Sequence, residues 1–484
     1  MSISTNAEHS PPPSSSPSAA PLYCEWLWHS VTVLCDGTVT CGCADPFKAR
    51  NHGSLKSSSL REIFAGALIA KRREELSAGR KCHKCSLHES AAGKDKRSLT
   101  PSSPYPRKLM LEPTIKCNIR CINETCNIAN DAAFHLRRED FLSWPLFTKL
   151  MDEAGPHLQE LVFYNYGESF AHPKALDMLA YAKKVNPRIR IATSTNGILL
   201  ARDGIAERIV EEDLLDAICF TIGGVDQETY VRYHKAGSFE KAFDGMRRMV
   251  EAKRRSDKTA PLIHWRYLLF NWNDSDECIA QALRMRDEIG VDQFKFMLTA
   301  SPIEGRSLRR APGTPGFAAI KQHLAFQEDY AADPLQEAGL WSLEKSPRLG
   351  PFSWTGRTAR VCLTPVDGQV NLRLARTTNP MAPQQTVTLR LPWQHEVAAN
   401  VGAGKWGDNP IPVPAGFHDE VQITLEVDQI YSPLKHADSH DNRELGVMVC
   451  MDGVSAAPNP YRTADVSAQK AKGLSRGSRG ENWA

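Results

Sequence analysis

Between Lys108 and Thr299 the chain repeats one rhythm. Six short, β-prone apolar runs appear: KLMLEPT, ELVFYN, RIRIATST, AICFTIG, LIHWRYLLF and QFKFMLT. Amphipathic stretches of helical period, such as HPKALDMLAYAKKV and FEKAFDGMRRMVEAKRR, separate most of them. Strands apolar on both faces that alternate with helices predict a parallel sheet with right-handed crossovers. Six such units build either a partial barrel or an open doubly wound sheet. In both, the ligand site lies at the carboxyl ends of the strands.

The flanking segments follow other patterns. HSVTVLCDGTVTCGCAD predicts a β-hairpin turning at Asp36-Gly37. SLREIFAGALIAKRREELSAG predicts a helix capped by Ser59 and ended by Gly79, and CHKC follows. From Thr358 onward TVTLRLP, HEVAANV, EVQITLEVD and ELGVMVCMD predict a small antiparallel sandwich. The expected organisation is a disordered Pro- and Ser-rich leader at 1–21, a cysteine-rich unit at 22–90 and a linker at 91–107. An α/β unit at 108–301, a connecting segment at 302–350, a β-sandwich at 351–456 and a disordered tail at 457–484 complete it.

Composition narrows the function classes. Apolar content of 42% and charged content of 24% are ordinary for a globular protein, and a net charge of +3 gives no argument for nucleic acid or an anionic membrane. No apolar run approaches the roughly 18 to 20 residues of a membrane span. The leader lacks the basic start and apolar core of a secretory signal, so the expected location is cytoplasmic. In a reducing compartment 13 cysteines do not read as a disulfide framework. Cys219, Cys278, Cys362 and Cys450 stand alone and read as structural. The other nine cluster as Cys24, Cys35, Cys41, Cys43, Cys82 and Cys85, then Cys117, Cys121 and Cys126, which points to metal. The second group offers three local thiolates where a structural zinc site takes four. A cubane held by three cysteines leaves one iron free for a small ligand.

CNIRCINETC, directly after the first run, resembles the cysteine motif of the radical S-adenosylmethionine (radical SAM) enzymes, whose usual spacing is C-x3-C-x2-C. The first half fits, with Asn118 and Arg120 at their frequent places. Glu124 occupies the usual third position and Cys126 falls two residues later. YGESFAHP, after the second run, is similar to the family's GGEPLLHP. TSTNG follows the third, and FTIGGVDQETYVRYHKAGSFEKA follows the fourth with Gly223 replacing an Asp and His234 at a frequent Arg. LLFNWNDSDECIAQALRMRDEIGVDQFKF resembles the fifth strand, helix and sixth strand, with Asn273 at its frequent Asn. The resemblance implies an α/β fold with a partial (β/α)6 TIM-type barrel. It implies a 4Fe–4S cluster on Cys117, Cys121 and Cys126, and S-adenosylmethionine bound by Gly167 and Glu168, with Thr195, Asn196 and Thr221 as further contacts.

The N-terminal cysteines are similar to a SPASM or twitch-type segment that holds an auxiliary iron–sulfur cluster, although in that family it usually follows the barrel. The resemblance maps its ligands onto Cys24, one of Cys41 or Cys43, Cys82 and Cys85; spacing alone leaves a four-cysteine zinc site open. IYSPLKHADSHDNRELGVMV resembles a β-sandwich module that accompanies bacterial glycosyltransferases, through Pro433, Ser439, Asp441, Arg443, Leu445 and Gly446. The implied activity is reductive cleavage of S-adenosylmethionine to a 5′-deoxyadenosyl radical that abstracts a substrate hydrogen. The implied partners are a small-molecule, glycan or peptide substrate and an electron donor such as flavodoxin or ferredoxin, with no nucleic acid and no membrane. Two rival readings stand beside it: an inactive scaffold of the same fold, and a carbohydrate-binding or assembly protein acting through the C-terminal sandwich.

Overall fold

The computed structural model describes residues 20–42, 45, 48, 50–82, 89–92, 103–123, 126, 137–299, 302–325, 333–415, 417, 419–433 and 443–462. All six predicted runs are strands of one sheet. Three N-terminal strands share it: β1 (Ser30–Val33), β2 (Thr38–Thr40) and β3 (Gly53–Ser54). The six are β4 (Lys108–Leu111), β5 (Glu160–Val162), β6 (Arg190–Thr195), β7 (Ala217–Thr221), β8 (Leu262–Leu269) and β9 (Gln293–Leu298). Their order is β9-β8-β7-β6-β5-β4-β1-β2-β3, and β4 to β9 are all mutually parallel.

Strictly sequential order decides between the two architectures. A doubly wound sheet reverses its strand order at a switch point. Here each right-handed crossover steps the same way, which puts the helices on one face and curls the sheet, as in a TIM-type barrel. The barrel is open because β4 pairs on its other side with β1, also parallel, instead of with β9. The N-terminal hairpin therefore extends the barrel sheet at its first strand. Glu112, just past β4, fixes this joint: its carboxylate accepts from the Cys35 backbone N–H at 3.2 Å and from the Arg137 Nε at 2.8 Å. Cys35 is fully buried, the core role its place in an apolar run implies.

Packing explains the strand interior. Ile218, Phe220, Trp265 and Tyr267 are all buried, each a residue whose removal from water stabilises by roughly 1.5–3 kcal/mol. The indole N–H of Trp265 is satisfied by the Ile222 carbonyl at 3.0 Å. Helix Phe239–Arg255 turns Ala242, Met246 and Met249 inward and its basic residues outward, and Ser238 caps it through the Lys241 N–H. At Gly245 a Cβ would lie 2.0 Å from the Gly197 carbonyl, so this helix presses directly on the loop after β6. The helix predicted over 59–79 is instead two, Leu60–Phe64 and Ala67–Ser77. Ser59 and Glu62 form a reciprocal capping box, but Gly66 takes an extended conformation where a Cβ would meet the Glu62 carbonyl at 2.5 Å.

The C-terminal strands form a six-strand and a five-strand sheet around one shared core that includes Val361, Leu372, Leu389, Ile423 and Val449. Glu344–Ser346, inside the segment read as connecting, pairs with Gly350–Trp354 at the start of the predicted sandwich. Pro347, Gly350 and Pro351 hide that hairpin in the sequence. Of the module signature, Ser439 and Asp441 lie outside the described residues. Gly446 has no room for a side chain, since a Cβ would sit 2.1 Å from the Thr355 hydroxyl. Arg443 donates to Glu344 at 2.6 Å. No helix among the described residues is long and apolar enough to cross a membrane.

Asn273 follows β8 and is fully buried. Its side-chain oxygen accepts from the Phe270 N–H at 2.7 Å, and its amide donates to the Gly223 and Leu268 carbonyls at 3.1 and 3.0 Å. The residue locks the turn between the ends of β7 and β8. Asn273→Ala, which orphans three buried backbone groups, is expected to cost about 2–4 kcal/mol in denaturant unfolding.

Candidate functional site

The loop leaving β4 is bound to the loop leaving β5 through backbone contacts. Glu168 N–H donates to the Lys116 carbonyl at 2.9 Å. Gly167 lies so close that a Cβ would be 2.1 Å from the Thr114 carbonyl and 2.8 Å from that of Lys116. Only glycine permits this approach. The side chain of Glu168 turns inward and is wholly buried; it accepts from the Thr195 hydroxyl at 2.9 Å and from the Asn196 N–H at 2.9 Å. Burial pushes its carboxyl up to about 7, against the pull of these donors. No basic side chain pairs with it among the described residues.

Asn196 ties the same carboxylate to the cysteine loop. Its side-chain amide donates to Asn118 Oδ1 at 2.9 Å and approaches Cys117 Sγ at 4.0 Å, while Asn118 donates back at 3.3 Å. Cys121 ends the two-residue strand Arg120–Cys121, which pairs with His234–Lys235, and its sulfur sits 3.7 Å from His234 Nδ1. Cys126 donates its N–H to Asn123 Oδ1 at 3.2 Å. The three thiols share one environment. Burial pushes Cys117 up to about 12 and Cys126 up to about 11, and Cys121 rises with them; Glu168 and Cys126 raise Cys117, and Cys126 and Cys117 raise Cys121. A buried set of thiols gives up its protons when a metal centre supplies compensating charge.

Tyr230, Tyr233 and His234 wall this pocket. His234 stacks on Tyr230 at 4.6 Å and meets Tyr233 edge-on at 4.8 Å. Burial drives the imidazole down to about 3, so it is neutral, and its Nε2 has no hydrogen-bond partner among the described residues. Thr221 is one strand removed from this network, with its hydroxyl 3.4 Å from that of Ser194. Glu124 lies outside the described residues.

Among the described residues no group of three His, Cys, Asp or Glu side chains closes to the spacing of ligands around one ion. A cubane needs no such group, because each cysteine binds a different iron and the sulfurs stand apart. The donor set and the glycine cradle therefore fit a cluster with a small amino-acid-like ligand beside it. In the N-terminal unit Cys24 and Cys41 are buried and Cys82 packs against the same core. Cys43 and Cys85 lie outside the described residues.

Sequence reasoning missed Tyr230, Tyr233, Glu112 and Arg137. The two tyrosines sit on helix Gln227–Tyr233, where an aromatic stripe reads as ordinary core. Glu112 alone carried a signal, as a charge closing an apolar strand. Arg137, 25 residues away from it, carried none.

Taken together, a six-unit parallel barrel whose first three strand-end loops bring a thiol, a buried carboxylate and a bridging amide into one network is an architecture for holding a cluster and a small ligand at the barrel mouth. Residues 111–279 match the family model described as the radical SAM superfamily, and residues 24–86 match that of the SPASM iron–sulfur cluster-binding domain. The chain carries a radical SAM domain preceded by a SPASM domain, with the iron–sulfur and S-adenosylmethionine association those domains bring. It is 35% identical over 104 residues to a tungsten-containing aldehyde ferredoxin oxidoreductase cofactor-modifying protein of Pyrococcus furiosus, a match covering 20% of this chain and 26% of that protein. The chain thus spans about a quarter of that relative. Among solved structures it is similar to native anSMEcpe with bound AdoMet, at 15% identity and a TM-score of 0.31, covering 40% of this chain and 51% of the other. Methylornithine synthase follows at 14% and 0.28, covering 39% and 52%.

The Glu168 carboxyl sets a pH dependence. It titrates near 7 in the folded chain against an ordinary 4.5, so between those values the folded state holds the extra proton and stability falls as pH rises. In cluster-free protein, Glu168→Gln is expected to flatten that fall and raise the melting temperature above pH 7. Equal pH slopes for the two proteins in thermal unfolding would contradict the assignment.

Proposed function

We propose that this chain is a radical SAM enzyme whose Cys117, Cys121 and Cys126 hold a 4Fe–4S cluster. The reading is carried by Asn196, which donates its backbone N–H to Glu168 and its side-chain amide toward Cys117. Glu168 and the backbone at Gly167 would hold the amino group of S-adenosylmethionine, with Thr195, Asn196 and Thr221 serving the rest of it. Once bound, cluster and S-adenosylmethionine supply a 5′-deoxyadenosyl radical on one-electron reduction. The protein's part is to position and to exclude water. The buried Glu168 offers one negative charge to a cationic group, and the neutral His234 with Tyr230 and Tyr233 closes the side facing Cys121.

Cys24, one of Cys41 or Cys43, Cys82 and Cys85 hold a second, auxiliary cluster in this proposal. Its support is the extent of the SPASM match, which spans all five, and the shared burial of Cys24 and Cys41. A flavodoxin- or ferredoxin-type donor supplies the electron, and the substrate is a glycan precursor or a peptide.

Anaerobically reconstituted protein should absorb near about 400 nm and carry about eight irons, about four per cluster. Cys24→Ala should leave about four. S-Adenosylmethionine should change the electron paramagnetic resonance of the reduced wild type and of Cys24→Ala alike. Zinc-loaded, colourless protein would overturn the cluster assignment.

A further inference from the structure

The inner wall of the barrel carries charge of one sign along β7 to β9. Trp265 meets Phe243 of helix Phe239–Arg255 edge-on, with ring centroids 5.6 Å apart. The alternate residues of β8 therefore face away from the helices and into the barrel. Arg266 is one of them, and the strand register sets it beside Thr221 of β7 and Lys295 of β9. The next residues on that face, Leu268 and Met297, belong to one apolar cluster with Tyr233 and Cys121. The two cations thus lie one pleat below the cysteine loop, and both are only half-buried.

No acid answers them. The preceding step of the same face carries Ser194, Cys219 and His264, paired across β6, β7 and β8. Arg266 makes no hydrogen bond or ion pair among the described residues, and Lys295 only approaches the Gln322 carbonyl at 3.5 Å. Glu112 and Glu168 belong to the loops after β4 and β5, where Arg137 holds the first and Thr195 with Asn196 the second. Asp274, past the end of β8, accepts from the Ser307 hydroxyl. Burial, then the charges of Arg266 and Lys295, press the His264 imidazole down to about 4. It is neutral, and its buried Nε2 has no partner among the described residues. Like charges at paired strand positions destabilise a sheet. A concave wall of one sign also concentrates ions of the other. A guanidinium and an ammonium beside a hydroxyl match the oxygens of phosphate or carboxylate.

We propose that this wall holds the substrate through an anionic group, a phosphate or a carboxylate, on Arg266 and Lys295. The substrate assignment rests on the enzyme reading above. The anion site does not, and it should persist in Cys117→Ala protein, so the two fail separately.

Calorimetric titration of the full chain with inorganic phosphate, and separately with succinate, tests it. Saturable binding of at least one is expected in wild type and in Cys117→Ala, and the tighter of the two identifies the group. Arg266→Gln and Lys295→Gln should each weaken it at least tenfold, whereas Arg373→Gln, on a strand of the C-terminal sheet, should not. Lys295 sits on the edge strand of the barrel sheet, so its variant should fold even where Arg266→Gln does not. Binding of neither anion, or binding unchanged in Lys295→Gln, overturns the proposal. So does a tenfold loss of S-adenosylmethionine affinity in reconstituted Arg266→Gln, which would hand the cations to the carboxylate of that ligand.

Discussion

Cys126→Ala should remove about four irons and the reductive chemistry, whereas Glu124→Ala should leave both intact. The expectation rests on where Cys126 lies. It is close enough to Cys117 and Cys121 to raise both thiols, so the sulfur two residues past the usual position still shares their environment. Two added residues in a loop cost little to close. Loss of the cluster's third thiolate leaves no site-differentiated cubane, so activity should fall to background. Iron analysis and the absorbance band decide it, and the reverse outcome would transfer the third ligand to Glu124.

Gly167→Ala should be nearly as damaging by a purely steric route. The methyl group would collide with the Thr114 and Lys116 carbonyls at 2.1 and 2.8 Å, and both obstacles are backbone. Overpacking of this kind costs about 1–3 kcal/mol or forces the strand-end loops apart. Separation of the loops carries Glu168 away from Cys117, so affinity for S-adenosylmethionine should drop at least tenfold, about 1.4 kcal/mol. Gly204→Ala provides the contrast. Its positive φ of 79° carries a strain cost, but no atom lies within 4 Å, so affinity should not change. Equal affinities for wild type and Gly167→Ala would show that the close approach serves only folding.

The barrel was legible because buried parallel strands are continuous apolar runs and each crossover helix has its own period. Strand order was not, since the runs fit a curled or a doubly wound sheet equally; pairing of β4 to β9 in strict sequence settles it. Gly167, Glu168 and the three cysteines came from resemblance, and their convergence needed the fold. Asn273 shows the opposite case. Its position was noticed in the sequence, but its three buried hydrogen bonds make it a turn lock. Tyr230 and Tyr233 were invisible because a helix that walls a pocket has the same apolar face as one that fills a core. The C-terminal hairpin at 344–354 was hidden by its prolines, one of which, Pro351, sits within a strand opposite Lys345.

Formation of 5′-deoxyadenosine is the most direct measurement of all. Reconstituted wild-type protein, reduced in the absence of air and given S-adenosylmethionine, should release 5′-deoxyadenosine and methionine together, and Cys117→Ala should release neither. A chain that carries its full iron and the absorbance band yet leaves S-adenosylmethionine intact would contradict the enzyme and leave an inactive scaffold of the same fold.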